Sequence, residues 1–265
     1  MIKIISWNVN SINARLEAFH DFCNQELPDI CLLQETKCTE EKFPKREIED
    51  LGFYYAISGQ KSYNGVAILS KYPIEDINMT LPLTANCTPD DRDLQARYID
   101  AFIRAGNINF RVVSAYIPNG KSVKHDDFLY KLRFYKRLKH RYIALRKHDS
   151  IVVAGGDYNV ALENHDVYNV KYLDGDIGFH IDERRGLRSI INSGFLDSYR
   201  LLHPDGQAYS WWDYRTNGWE KDNGMRIDQL LISGTACDLM KDAGIYKYTR
   251  GWERPSDHVP IYCVF

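Results

Sequence analysis

Polar residues recur at the downstream ends of short apolar runs, and this pattern constrains the fold more than any other feature of the chain. Asn8 follows Ile4-Ile5-Ser6-Trp7, and Glu35 follows Ile30-Cys31-Leu32-Leu33-Gln34. Tyr116 ends Val112-Val113-Ser114-Ala115, and Asp157 and Asn159 follow the run 151–156. Asp257 and His258 stand before the run 259–265. Apolar runs of this length, bounded by turn residues, read as buried strands. A carboxylate at the end of a buried strand is costly unless it is paired or metal-bound. The pattern therefore predicts sheets whose strand ends share one edge, where residues remote in sequence meet in one pocket.

Strands are expected at 2–7, 30–33, 54–57, 66–69, 98–103, 110–116, 151–154, 227–232 and 259–265. Turn signals separate them at Asn64-Gly65, Pro118-Asn119-Gly120, Asp174-Gly175 and Pro204-Asp205-Gly206. Ile12, Leu16, Phe19 and Cys23 recur at helical spacing, in a helix stopped at Pro28. A long helix fits 127–147, with Phe128, Leu132, Tyr135, Leu138 and Tyr142 on one side. Many strands with few long helices imply packed sheets with helices outside. No linker, repeat or low-complexity stretch interrupts residues 1–265, so one domain is expected.

A net charge of -2 gives no global attraction for polyanions, so a nucleic-acid partner would need a local basic patch. Residues 121–147 hold ten Lys or Arg against Asp126 and Asp127. They read first as the solvated face of a helix and second as such a patch. The cysteines Cys23, Cys31, Cys38, Cys87, Cys237 and Cys263 form no C-x-x-C pair, which argues against zinc and for reduced thiols. No secretory signal is visible, and no apolar run nears the ~20 residues that span a bilayer. A cytoplasmic protein is expected.

Glu35 and Asp257, with the amide oxygen of Asn8, would form an all-oxygen site suited to Mg²⁺ or Mn²⁺. Each feature alone has an ordinary explanation. Asp157-Tyr158-Asn159 after Gly155-Gly156 also fits a turn held by Asx side chains, and Tyr116 also fits a core tyrosine. The argument rests on their joint occurrence.

Six segments carry a family resemblance: Ser6-Trp7-Asn8-Val9-Asn10-Ser11-Ile12, Leu33-Gln34-Glu35-Thr36-Lys37, Gly156-Asp157-Tyr158-Asn159, Tyr209-Ser210-Trp211-Trp212-Asp213-Tyr214-Arg215, Arg226-Ile227-Asp228 and Pro255-Ser256-Asp257-His258-Val259-Pro260-Ile261. In this order, spanning nearly the whole chain, they resemble the exonuclease III family, the abasic-site endonuclease branch of the endonuclease/exonuclease/phosphatase superfamily. The resemblance implies an α/β fold: a four-layered sandwich of two facing, mainly antiparallel sheets flanked by helices. It implies Mg²⁺-dependent hydrolysis 5′ to abasic sites in duplex DNA, leaving a 3′-hydroxyl. Companion activities would be 3′-phosphodiesterase or phosphatase action on blocked 3′ ends and 3′→5′ exonuclease action. The alternatives are an enzyme that is mainly a 3′→5′ exonuclease, or a phosphatase of the same superfamily. A monomer with no membrane partner is expected.

By the same resemblance Glu35 is the main metal ligand, with Asn8 and Asp257 close by. Asp157 would activate or position water beside Asn159, and His258, oriented by Asp228, would contact the scissile phosphate. The opposite assignment, with His258 as the base, stays open, as does one metal or two. Tyr116 and Asn119 would hold the phosphate, and Lys37, Lys121 and Arg215 are candidates for DNA contact. Trp211, Met225 and Ile227 match the pocket for a flipped-out sugar. The stretch from Leu162 to His180 matches least well; Asn164, His165 and Asn169 within it are weaker DNA-binding candidates.

Overall fold

Ile4 and Ile5 enter different cores, because successive side chains of a strand point to opposite faces. A strand buried on both sides must be apolar throughout, and this explains the continuous runs in the sequence. The computed structural model describes residues 1–84 and 88–265. The first half of the chain forms β1 (Lys3–Asn8), α1 (Leu16–Glu26), β2 (Ile30–Gln34), α2 (Lys45–Asp50), β3 (Tyr54–Ser58), β4 (Val66–Ser70), β5 (Ile74–Asn78), β6 (Tyr98–Ala105) and β7 (Ile108–Tyr116). Then come α3 (Asp126–His148), β8 (Val152–Asp157), α4 (Val170–Leu173), α5 (Ile181–Ile191), β9 (Phe195–Asp197) and α6 (Ser198–Leu202). The last part holds β10 (Trp211–Trp212), β11 (Gly224–Met225), β12 (Asp228–Ser233), α7 (Gly234–Leu239), β13 (Asp242–Ile245) and β14 (Ile261–Val264).

Two six-stranded sheets result, in the orders β13-β14-β1-β2-β4-β3 and β5-β6-β7-β8-β12-β9. Pairing is antiparallel except for β1 with β2 and β7 with β8. Between the sheets lies a core that includes Ile4, Leu32 and Ile68 from one and Ala101, Val112 and Ile232 from the other. Outside the first sheet, Phe19 and Phe22 of α1 and Ile48 of α2 cover Ile5, Trp7 and Leu33. Outside the second, Tyr135, Leu138 and Tyr142 of α3 and Leu187 and Ile190 of α5 cover Val113, Ala154 and Leu231. The four expected layers are present.

All nine expected strands form, with shifted ends. The run at 151–154 continues through Gly155 and Gly156 to Asp157, and the Asx turn follows it, Asn159 N donating to Asp157 Oδ1 at 2.8 Å. A Cβ on Gly155 would lie 2.7 Å from Leu32 Cδ1, and one on Gly156 would collide with the Ala115 carbonyl. Glycine thus lets the sheets close on each other beside the strand ends. The last strand covers only Ile261–Val264. The strands β5, β9, β10, β11 and β13 were not anticipated; most are too short to show a period of two. In α1, Ile12 precedes the helix, which ends on Leu27 at φ 51°, just before Pro28.

The basic segment is neither a uniformly solvated face nor an open patch. Lys131 and Arg137 are buried, against Glu183 and Asp93 respectively. Arg133 pairs with Asp93, Arg141 with Asp100, and Lys121 with Asp127. Four of the ten cations, Lys131, Arg133, Arg137 and Arg141, are therefore held by acids from distant segments that pack against α3, whereas Lys121 is exposed and pairs locally. Among the described residues the cysteines Cys23, Cys31, Cys38, Cys237 and Cys263 are free thiols; Cys87 lies outside them. No described helix is long and apolar enough to cross a membrane.

Candidate active site

Topology brings the polar strand ends together. β2 runs parallel to β1, so Asn8 lies opposite Gln34 and next to Glu35. β8 runs parallel to β7, so Tyr116 lies opposite Asp157. β12 is antiparallel to β8 and begins where β8 ends, which pairs Asp228 with Asp157. β14 is antiparallel to β1, so the segment entering it, Ser256 to His258, meets the end of β1. Ser256 Oγ donates to the Asn8 carbonyl at 2.7 Å, and Trp7 Nε1 donates to the His258 carbonyl at 3.2 Å.

The result is a buried chain of polar groups. The His258 Nδ1 and Asp228 Oδ2 atoms are 2.8 Å apart, and His258 Nε2 faces Asp157 Oδ2 at 3.6 Å. Asn8 Nδ2 donates to Asp157 Oδ2 at 3.0 Å and to Glu35 Oε1 at 2.8 Å. Asp157 also accepts from the Asn159 backbone N–H at 2.8 Å and from Asn159 Nδ2 at 3.2 Å. Asn119 Nδ2 donates in turn to Asn159 Oδ1 at 3.1 Å.

Burial and local charge set the protonation states. Burial raises the Asp157 carboxyl, His258 opposes that rise, and the Asp228 and Glu35 charges reinforce it, leaving Asp157 pushed up to about 7. Burial alone would lower His258, but the Asp228 and then the Asp157 carboxylates outweigh it and push the imidazole up to about 10. Burial, with the Glu35 and Asp157 charges, drives the Tyr116 hydroxyl well above its ordinary value, so it keeps its proton. Asp228 Oδ1 is buried without a hydrogen-bond partner.

The backbone is strained where Glu35 is presented. Glu35 and Lys37 take positive φ of 51° and 53°, and Asn10 and Asn159 take 46° and 52°. Such conformations cost on the order of 1–3 kcal/mol for non-glycine residues and persist only where surrounding bonds enforce them. Ser11 N donates to the Glu35 carbonyl at 2.7 Å, Thr36 N to Gly65 O at 3.1 Å and Lys37 N to Asn64 O at 2.9 Å. A Cβ on Gly65 would collide with Thr36 Oγ1, so glycine is required there.

Ligand-capable atoms of Glu35, Asp157 and His258 lie within 4.8 Å of one another, a group that does not include Asp257. Asp257 is held beside it, accepting from Asn10 Nδ2 at 2.8 Å and Trp211 Nε1 at 3.1 Å. Burial would raise its carboxyl, but His258 and these hydrogen bonds hold it below the ordinary range. Asn8 turns its amide nitrogen, not its oxygen, toward the carboxylates; the oxygen accepts from the Asn10 N–H at 3.1 Å. Lys37 Nζ sits 2.8 Å from Glu35 Oε2.

Trp211, Met225 and Ile227 do come together beside this chain. They share a small apolar cluster with Ala161, Val167, Leu173 and Phe179. Ser210 Oγ fixes the wall by accepting from the Ile227 and Asp228 N–H groups at 3.1 Å each. Phe179, Val167 and Leu173 come from the stretch that resembled the family least and were not anticipated; their only mark in the sequence is apolar character between turns. Asn164 and Asn169 are exposed, and Asn169 caps α4 by accepting from Tyr172 N at 3.0 Å. Arg215 is exposed and pairs with Asp213.

Comparison with known proteins identifies the architecture. Residues 5–258 match the model of the Endonuclease/Exonuclease/phosphatase family. Exodeoxyribonuclease III of Haemophilus influenzae is 32% identical over 274 residues, covering 100% of each chain. The solved 3′-5′ exonuclease NExo of Neisseria meningitidis superposes with a TM-score of 0.92 at 33% identity, over 100% of this chain and 99% of that one. An AP endonuclease of Archaeoglobus fulgidus superposes with a TM-score of 0.89 at 35% identity, over 100% and 99%. With this fold, this coverage and this identity, the chain belongs to the exonuclease III family and is a nuclease of the hydrolase class.

Proposed function

We propose that residues 1–265 form one catalytic domain that hydrolyses duplex DNA 5′ to abasic sites, leaving a 3′-hydroxyl, and that also removes blocked 3′ ends. It would act as a cytoplasmic monomer and depend on Mg²⁺, with Mn²⁺ as a substitute. The observation that carries this reading is the polar chain Asp228–His258–Asp157–Asn8–Glu35, buried except at its partly exposed Glu35 end, beside an apolar cluster.

The donor chemistry fits a hard divalent cation. Glu35, Asp157 and Asp228 crowd around one imidazolium, an excess of acid in which Lys37 already neutralises part of Glu35. Glu35 would hold the ion, with Asp157 beside it and Asn8 and Asp257 flanking. When bound, the ion supplies positive charge to the phosphate and the leaving 3′-oxygen.

The protein's own groups divide the remaining work. Asp157, pushed up to about 7 and oriented by Asn8 and Asn159, is suited to accept a proton from the attacking water. His258 is protonated at neutral pH, so it is suited to hold a phosphate oxygen rather than to act as the base. Asp228 fixes its orientation through Nδ1. Tyr116 and Asn119 add neutral donors for the phosphate. The apolar wall of Trp211, Met225, Ile227 and Phe179 suits a baseless sugar, whose extrusion is the least costly because pairing is already lost.

A reading weighted toward 3′ ends is favoured by one relative, the Neisseria 3′ phosphatase solved with a product DNA hairpin, at 33% identity and a TM-score of 0.93. Product analysis on one labelled duplex carrying an abasic site, with Mg²⁺ and with excess chelator, separates the two. Incision with a 3′-hydroxyl product is expected. Trimming from the 3′ end without incision would shift the assignment to an exonuclease, and cleavage that persists in chelator would overturn the metal requirement.

A further inference from the structure

Lys131 is wholly buried in the second turn of α3, and each of its three ammonium hydrogens has an acceptor. Nζ donates to the Asn119 carbonyl at 3.1 Å, to the Asn159 carbonyl at 2.7 Å and to Glu183 Oε1. Glu183 is equally buried. Its other oxygen accepts from the backbone N–H groups of Gly178 at 2.9 Å and His180 at 3.1 Å. Those two residues bracket Phe179, a wall of the apolar cluster. Glu183 looks in the sequence like an ordinary capping-box residue for α5, with His180 as the cap. A capping box needs neither complete burial nor a buried cation. Removing two charges from water is expensive, and an apolar pair of similar volume usually serves stability as well.

We propose that the Lys131–Glu183 pair is a positioning device that locks the phosphate-facing residues and the sugar-facing wall into one rigid unit. The ammonium holds the loops carrying Asn119 and Asn159, and the carboxylate holds the loop carrying Phe179. The first part of the segment between β8 and α5 is tied to the β11–β12 edge by its backbone, through Tyr158 N to the Ile227 carbonyl at 2.9 Å, Tyr168 N to the Gly224 carbonyl at 3.1 Å and Arg226 N to the Asp166 carbonyl at 2.8 Å. The Gly178 end instead bonds back to that first part, through Ala161 N to the Gly178 carbonyl at 2.8 Å. Gly178 itself sits at φ +83°, beside Met225 of the wall, where Glu183 holds its N–H. Loss of the pair therefore misplaces the wall and the asparagines together, and discrimination between an abasic and an intact nucleotide falls with turnover.

The functional readout of this proposal rests on the abasic-site reading above. Lys131→Met is compared with Arg141→Met, which breaks the Arg141–Asp100 pair on the same helix away from the site. Both are assayed well below their melting temperatures on matched abasic and intact duplexes, and hydrogen exchange is followed at the Gly178 and His180 amides. For Lys131→Met the abasic-to-intact cleavage ratio is expected to fall by roughly tenfold to a hundredfold. Exchange at both amides should speed up by about tenfold or more. Arg141→Met should change neither. If Lys131→Met does not fold, Lys131→Met/Glu183→Gln leaves no unpaired buried charge and keeps an acceptor for both amides. That variant should lose kcat while exchange at 178 and 180 stays slow. An unchanged cleavage ratio and unchanged kcat in a folded variant would overturn the proposal. If the wild type fails to cut abasic DNA, only the functional reading falls, and unaltered exchange in Lys131→Met is then the result that sinks the positioning role.

Discussion

Arg226 and Asp228 stand two residues apart at the start of β12, both buried, yet they belong to opposite kinds of charge cluster. Arg226 is saturated: its guanidinium meets Asp166 at 2.7 Å, Asp197 at 2.8 Å and Gln229 at 2.7 Å. Arg200 completes the pairing of Asp166. Asp228 belongs to a group in which acids outnumber cations; buried atoms without a hydrogen-bond partner occur in both clusters, Asp228 Oδ1 in this one and Asp197 Oδ2, Arg200 Nε and Gln229 Nε2 in the other. The first cluster uses charge to join β12, the turn at Asn164–Asp166 and the end of β9. The second keeps charge in excess, and an excess of this kind is what an ion, a water or a phosphate can use. Balance marks a structural cluster, and imbalance marks a reactive one.

The sharpest test of that contrast is Asp157→Asn. Turnover on abasic duplex should fall by ~10²–10⁴-fold, the usual cost of losing a general base, while stability changes by no more than about 1–2 kcal/mol. Turnover near the wild-type rate would remove Asp157 from the chemistry. Arg226→Met should do the reverse. Leaving Asp197 unpaired and Asp166 with Arg200 alone should cost about 3–5 kcal/mol in denaturant unfolding, with the protein that remains folded still active. Equal losses of stability from both variants would break the distinction.

Smaller effects should appear in stability against pH, measured by denaturant midpoints in chelator. Burial raises the Asp166 carboxyl, but Arg226 and Arg200 outweigh it, so its folded pKa is lowered. Its contribution is fully present above the unfolded value of about 3.9 and is lost as pH falls through the folded value. His258, pushed up to about 10, behaves oppositely. Its contribution is fully present below about 6.5 and drains as pH rises through the folded value. Asp166→Asn should flatten only the acid limb, and His258→Gln only the alkaline limb. Matching profiles for the two variants would show that the clusters are not distinct.

Much of this is legible in the sequence. Continuous runs such as Ile30 to Leu33 and Val152 to Ala154 marked strands buried on both faces, because only such strands are apolar without alternation. The motif residues Glu35, Asp157, Asp228 and His258 do meet, since strand ends at one edge must. The short strands β9, β10 and β11 escaped notice because two or three residues show no period. The directions of the Asp257 and Asn8 side chains depend on hydrogen bonds from Asn10 and Trp211 that no linear spacing specifies. Phe179 stayed hidden because a lone aromatic between turns looks like any other core residue.

The sequence by itself determined which apolar runs become the nine main strands and which polar groups stand at their ends, because burial on both faces and the costs of burying charge act locally along the chain. Tertiary structure alone decided what each charge does. Lys131 and Arg137 look like solvated helix cations, and Asp166 and Glu183 look like turn and cap residues, until the fold sets them against partners many residues away. A charge buried with its opposite becomes scaffold, and one buried with too little opposition becomes chemistry; that difference depends on three-dimensional neighbours that no linear pattern specifies.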